Sequence, residues 1–167
     1  KAQDLAQQLA CIGQKYGINT VALLTDMSQP LGSYVGNALE VKECMDIMSN
    51  IKMVENGVEL YADTLDLTLE LAGNMLVLSK ICPSVEEGKK VGRKLLESGK
   101  VMEKFMEMTY AQGAVTKWQL PEAKCKEEYL SPVEGQLLTM DCEQIGLAGI
   151  ELGAGRKKIE DKIDPAV

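Results

Sequence analysis

The chain has 167 residues, 46% of them hydrophobic, enough for one domain or one large part of one. A net charge of -7 and a pI of about 4.8 repel nucleic acid and anionic lipid, so neither is an expected partner. The lack of histidine excludes, within the chain, a Ser-His or Cys-His nucleophile pair, a histidine general base and a histidine metal ligand.

Ala2, Leu5, Leu9, Ile12 and Tyr16 recur at steps of three and four and predict a first helix that Gly17 ends. No capping residue precedes it, so the natural chain is expected to begin further upstream; Asp164-Pro165-Ala166-Val167 lacks a polar tail and reads as a second cut end. The run Val21-Ala22-Leu23-Leu24 within residues 18–25 predicts a buried strand parallel to neighbours that the chain does not supply. Residues 26–37 read as a loop, with Asn37 as N-cap of a helix over 38–49 that turns Ala38, Val41, Met45 and Met48 inward.

Residues 61–80 alternate leucines at 65, 67, 69 and 71 like a strand, yet their length and shortage of β-branched residues favour a buried helix. Ser84 and Glu87 form a capping box for a helix with Val91 and Leu95 inward. Ser98 is the expected cap of the next helix, whose stripe is Val101, Phe105 and Met108 and which Gly113 ends. Residues 118–125 read as a linker, and 128–140 as a hairpin around Pro132-Val133-Glu134-Gly135. Asp141 caps a short helix bearing Ile145, Leu147, Ile150 and Leu152, ended by Gly153 and Gly155 before the basic run from Arg156 to Lys158.

No apolar run reaches bilayer length and no signal peptide opens the chain, so a soluble protein is expected. Cys11, Cys44, Cys82, Cys125 and Cys142 are scattered without a C-x-x-C pair and read as reduced, mostly buried cytoplasmic cysteines. Met45, Met48, Met75, Met102, Met106 and Met108 read as core filling.

Thr25-Asp26-Met27-Ser28-Gln29-Pro30-Leu31-Gly32, followed by Val35-Gly36-Asn37-Ala38-Leu39-Glu40-Val41, resembles the loop after a buried strand in pyrimidine-nucleoside phosphorylases and the similar thymidine phosphorylases. Phe105, Met108 and Ala111-Gln112-Gly113 agree with a second element of that family, and Leu152-Gly153-Ala154-Gly155-Arg156 and Ile163-Asp164-Pro165-Ala166-Val167 with two more. The resemblance implies an α/β class: residues 1–115 as a helix-rich part of the family's mixed-sheet domain, and 116–167 as the start of a small mixed α+β C-terminal segment, truncated. It implies phosphate-dependent cleavage of a pyrimidine nucleoside by a cytoplasmic homodimeric parent, the phosphate and base ligands lying upstream, so that no catalytic residue falls in this chain.

For the loop two readings stand. Its glycines and Asn37 make a plain strand-to-helix turn; the resemblance implies a potassium site, with main-chain carbonyls of Leu31 and Tyr34 and the carboxylate of Glu43 as ligands. Glu40 and Glu43 likewise read either as paired carboxylates or as acids favouring a helix dipole. Gly153-Ala154-Gly155-Arg156 reads as a phosphate cradle or, better, as a helix C-cap, because it follows a helix instead of opening one. Outside the enzymes, a non-catalytic helical interaction module is the alternative; it predicts a complete core within these residues.

Overall fold

The computed structural model describes residues 1–55, 57–115 and 118–167. Among these, six helices and one two-stranded sheet form: α1 (Ala2–Lys15), α2 (Asn37–Met48), β1 (Val54–Glu55), β2 (Val58–Glu59), α3 (Ala62–Leu78), α4 (Val85–Glu97), α5 (Lys100–Ala111) and α6 (Cys142–Leu152). The chain divides into two compact units, Lys1–Asp26 with Leu65–Leu95, and Met27–Thr64 with Leu96–Val167. The domain boundary expected between residues 115 and 116 falls against Thr116 and Lys117, which lie outside the described residues.

In the first unit α1 closes with a hydrogen-bonded reversal at Gly17, whose φ of 72° lets its N–H reach Gln14 O and the Ile18 N–H reach Gly13 O. The apolar face of α1 is nonetheless exposed at Leu5, Leu9 and Ile12. Residues 18–26 do not form the predicted strand: among the described residues the sole sheet is β1-β2, and Val21 and Leu24 are 49% and 56% exposed. A strand needs a partner for its N–H and C=O groups, and the described residues offer it none.

The helix favoured over strand for 61–80 is α3, and it packs on α4 through glycines. A methyl on Gly88 would stand 2.8 Å from the Gly73 Cα, and one on Gly73 2.8 Å from the Val85 carbonyl oxygen. Leu69, 2% exposed, fills the next turn beside Gly92. The backbones meet because neither helix carries a side chain there. Lys89 bonds Glu70 at 2.9 Å along the rim. The inward face of α4 is thus Gly88 and Gly92, not the predicted Val91 and Leu95, which are exposed. The Ser84 cap is as expected, its Oγ accepting the Glu87 N–H at 3.3 Å.

In the second unit β1 and β2 pair antiparallel, Val54 opposite Glu59 and Glu55 opposite Val58. The sequence reading passed over this hairpin, although Asn56-Gly57 is its turn signal; Asn56 lies outside the described residues. Gly99 in the left-handed region, not Ser98, stands before α5. The hairpin predicted over 128–140 is absent: these residues hold no strand, and Tyr129 and Leu138 are 92% and 83% exposed. Two short apolar runs separated by a turn signal do not pair without a face to bury. Asp141 caps α6 as predicted, accepting the Gln144 N–H at 3.1 Å, and Gly153 ends it with a φ of 107°.

The expected burial of cysteine and methionine is also corrected. Cys82 is buried, but Cys11, Cys44 and Cys125 are exposed, as are Met75 and Met108. On the helices these residues occupy apolar stripes whose opposing surface the described residues do not provide.

Replacing Gly88 with alanine forces a methyl against the Gly73 backbone, which cannot yield as a flexible side chain would. Gly88→Ala is expected to cost about 1–3 kcal/mol despite alanine's better helix propensity. Urea unfolding followed by circular dichroism measures it, and a variant as stable as the parent would contradict the close α3–α4 contact.

Candidate functional site

The loop singled out in the sequence is held by acids. Gly32 N–H donates to Asp63 Oδ2 at 2.9 Å, Ser33 and Tyr34 N–H to Glu43 Oε2 at 2.9 and 3.2 Å, and Gly36 N–H to Glu40 Oε1 at 3.3 Å. The Thr64 hydroxyl donates to the other oxygen of Glu43 at 2.6 Å. Glu43 is 4% exposed, and among the described residues no ion pair includes it. Its charge is held by amide and hydroxyl dipoles, the arrangement that makes a buried carboxylate tolerable.

The fit is close. A methyl on Gly32 would lie 2.2 Å from Glu43 Oε1 and 2.7 Å from Thr64 Oγ1, so a side chain there would displace the carboxylate. Ser33 adds a hydroxyl bond to the Leu60 carbonyl at 2.6 Å. Beside it lies an aromatic cluster: the Tyr34 and Tyr61 rings are 6.2 Å apart, and Lys42 sits 5.8 Å over the Tyr34 ring. The Tyr61 hydroxyl donates to Asp46 at 3.0 Å, and Lys42 pairs with the same carboxylate at 2.5 Å. Burial, then the bonds to Asp46 and Tyr34, push the Tyr61 phenol well above its usual range. The bond to Asp46 raises Lys42.

Leu31 and Tyr34 of the loop and Glu43 of α2 line one cavity of about 330 Å³, together with Thr64, Cys44 and Cys142. Among the described residues no group of three or more Asp, Glu, Cys or His side chains is placed to hold a metal ion, so a cation here would depend on main-chain oxygens beside Glu43. Glu40 and Glu43 do not act as a pair: each is committed to different loop amides. Asp63, Thr64 and Ser33 were missed by sequence reading; the Asp63-Thr64 pair opening α3 was the available signal, a polar N-terminal turn ahead of a leucine-rich helix.

Asn37 is not an N-cap. Gly36 takes that position, and Asn37 is the first helical residue. Its side-chain amide instead donates to the carbonyls of Ala154 and Asp164 at 2.8 and 3.2 Å. The segment after α6 turns back at Gly153 in the C-cap manner, with Ala154 N–H on Gly149 O. In the basic run the backbone N–H groups of Lys157 and Lys158 both donate to Asp161 Oδ2, and the Lys157 ammonium pairs with Glu151.

Residues 2–102 match the family described as glycosyl transferase family, a/b domain, and residues 137–167 match the pyrimidine nucleoside phosphorylase C-terminal domain. The chain is 36% identical to a pyrimidine-nucleoside phosphorylase of Staphylococcus haemolyticus and 35% identical to one of Bacillus subtilis, in each case over 99% of this chain and 38% of the relative. The chain therefore belongs to the glycosyl transferase family, with the pyrimidine-nucleoside phosphorylases. It spans 38% of the length of these curated relatives. Helix content with little sheet agrees with part of an α/β domain, and among the described residues no helix is long and apolar enough to cross a membrane.

The cavity carries one consequence for reactivity. Partial burial, then the negative charges of Glu43 and Glu40, push the Cys44 thiol above its ordinary value. The thiolate is the reactive form, so alkylation of Cys44 by iodoacetamide is expected to rise with pH later than for a cysteine in an unfolded peptide. Glu40→Gln removes one repelling charge and should bring the midpoint down. Mass spectrometry of the alkylated peptide across pH 7–11 reads both; a parent midpoint at or below that of the peptide would contradict the assignment.

Proposed function

We propose that this chain supplies part of the catalytic α/β domain and the first portion of the C-terminal domain of a pyrimidine-nucleoside phosphorylase. The observation that carries the proposal is the similarity to enzymes of that name along 99% of the chain. The proposed reaction uses phosphate and a pyrimidine nucleoside. A phosphate oxygen bonds to the anomeric carbon as the carbon–nitrogen bond breaks, its electron pair leaves with the base, and a proton neutralises the base; the products are free base and a (deoxy)ribose 1-phosphate. Such a step needs preorganised donors for phosphate and for the charge developing on the base. In this chain the loop amides that could serve as donors are already given to Asp63, Glu43 and Glu40. The chain alone is therefore proposed to be inactive, with those donors in sequence the relatives carry beyond its span.

The loop is proposed to hold potassium, with Leu31 and Tyr34 contributing main-chain oxygens and Glu43 its carboxylate. Supporting this are their shared cavity and the buried negative charge that no ion pair among the described residues offsets. A monovalent cation there supplies charge compensation and fixes the loop; Glu43, Thr64 and Gly32 shape the space. The remaining proposals for the complete enzyme are a cytoplasmic homodimer whose partners do not include nucleic acid or membrane.

Purified as the 167-residue chain, the protein is expected to release no base from uridine or thymidine with or without phosphate. Joined to the length its relatives carry, it should release base when phosphate is supplied. Phosphate-independent release would refute the reaction class, and turnover by the chain alone would refute the placement of the donors. In that longer enzyme Glu43→Gln should weaken potassium activation by about tenfold, the scale on which loss of ligand support lowers metal affinity. Unchanged potassium dependence would return the loop to the role of a turn.

A further inference from the structure

Asn37 holds three main-chain oxygens of the C-terminal segment at once. Its side-chain nitrogen donates to the Ala154 and Asp164 carbonyls, 117 and 127 residues further along the chain, and its backbone N–H donates to Val167 O at 2.5 Å. A carboxamide nitrogen carries two N–H donors; a carboxylate of the same shape carries none, and a hydroxyl only one. The backbone N–H at the first turn of a helix otherwise lacks a partner, and the positive end of the helix favours an oxygen there. Gly36 leaves room for the contact, since a methyl on it would stand 2.7 Å from the Val167 carbonyl carbon.

The same helix grips the loop from its other contacts. Glu40 takes the Gly36 N–H and Glu43 takes those of Ser33 and Tyr34. Glu43 is six residues beyond Asn37, about 9 Å along the helix axis. The first turn of α2 is therefore fastened to the C-terminal segment, and its first and second turns to the loop. Freeing the segment leaves the Asn37 N–H, the carbonyls of Ala154 and Asp164 and the main-chain oxygen of the terminal Val167 without these partners. The first turn is where a helix frays, and Glu40 lies within it.

We propose that Asn37 is a positioning residue that latches residues 153–167 onto α2 and through that helix sets the Ser33–Tyr34 amides against Glu43. The proposal rests on the preceding functional reading only for what the loop serves. Its test requires neither potassium nor turnover.

Hydrogen exchange of the full chain, resolved by amide, compares the parent with Asn37→Ala and Asn37→Asp. Both variants are expected to speed exchange at Asp164 and Ala166, whose N–H groups bond within the segment, and at Ser33 and Tyr34, by roughly tenfold, the factor equivalent to one lost hydrogen bond. The α3 amides at 69–76 should keep their protection. Asn37→Asp matters because it preserves shape while removing the donors; parent-like protection in it would reduce Asn37 to a space filler and overturn the latch. A loosened segment with Ser33 and Tyr34 unchanged would overturn the coupling through α2. Faster exchange at every site, α3 included, would overturn a positioning role in favour of general stability. Should neither variant fold, the chain ending at Pro165 removes the Val167 acceptor instead, and the same pattern at Ser33 and Tyr34 decides. Failure here would leave the potassium dependence of Glu43→Gln untouched, and the reverse also holds.

Discussion

The second unit is organised around one buried carboxylate. Glu43 lies at 4% exposure with amide hydrogens on one oxygen and a hydroxyl on the other. A carboxylate in that position costs several kcal/mol unless such donors surround it, so whatever supplies them is fixed in place. Ser33 and Tyr34 fix the loop, Thr64 fixes the start of α3, and the absence of a side chain on Gly32 keeps the pocket open. Asp63 and Glu40 repeat the pattern on neighbouring amides. In a chain with a net charge of -7, this loop is where negative charge becomes structural.

What the sequence revealed follows from how local each signal is. The helices were legible because their stripes and stops repeat within a few residues: Ser84 and Asp141 cap as their spacing required, and Gly17, Gly113 and Gly153 end helices where expected. Asn37 was misjudged because N-cap composition assumes a local partner, whereas its amide is satisfied by carbonyls more than a hundred residues away; at α5 the cap position falls on Gly99, one residue after Ser98. The two predicted strand regions failed for a related reason. An apolar run specifies a strand only when another strand accepts its hydrogen bonds, and that information is nonlocal. Leu31, Tyr34 and Glu43 were proposed as site residues by resemblance, and the fold places them on one cavity; Asp63, Thr64 and Ser33 emerged only from the fold.

The helix ends share one closing geometry, and it does not require glycine. Asn50 and Lys80 take the left-handed conformation at φ 57° and 60°, and the N–H groups after them, of Ile51 and Ile81, reach back to Asp46 O and Leu76 O. Asparagine tolerates this conformation and lysine less so, a side chain there costing roughly 1–2 kcal/mol, and the reversal satisfies carbonyls that the helix end leaves open. Composition alone therefore marks the glycine ends and misses the other two.

A thin apolar core makes these polar contacts decisive. Among the described residues the buried apolar side chains are Ala38, Tyr61, Leu69 and Cys82, while Val21, Leu24, Tyr129 and Leu138 stand exposed. Hydrophobic burial is non-directional and would tolerate a range of loop positions. Hydrogen bonds are not so tolerant, and they weaken steeply with angle and distance. Where burial is scarce, the geometry of the loop is left to the bonds that Glu43, Glu40, Asp63 and Asn37 make. Polar residues thus set the course of the loop beside a cavity whose walls are largely apolar, among them Pro30, Leu31, Val35 and Ile145, and a change that alters one donor or acceptor is felt by the whole loop.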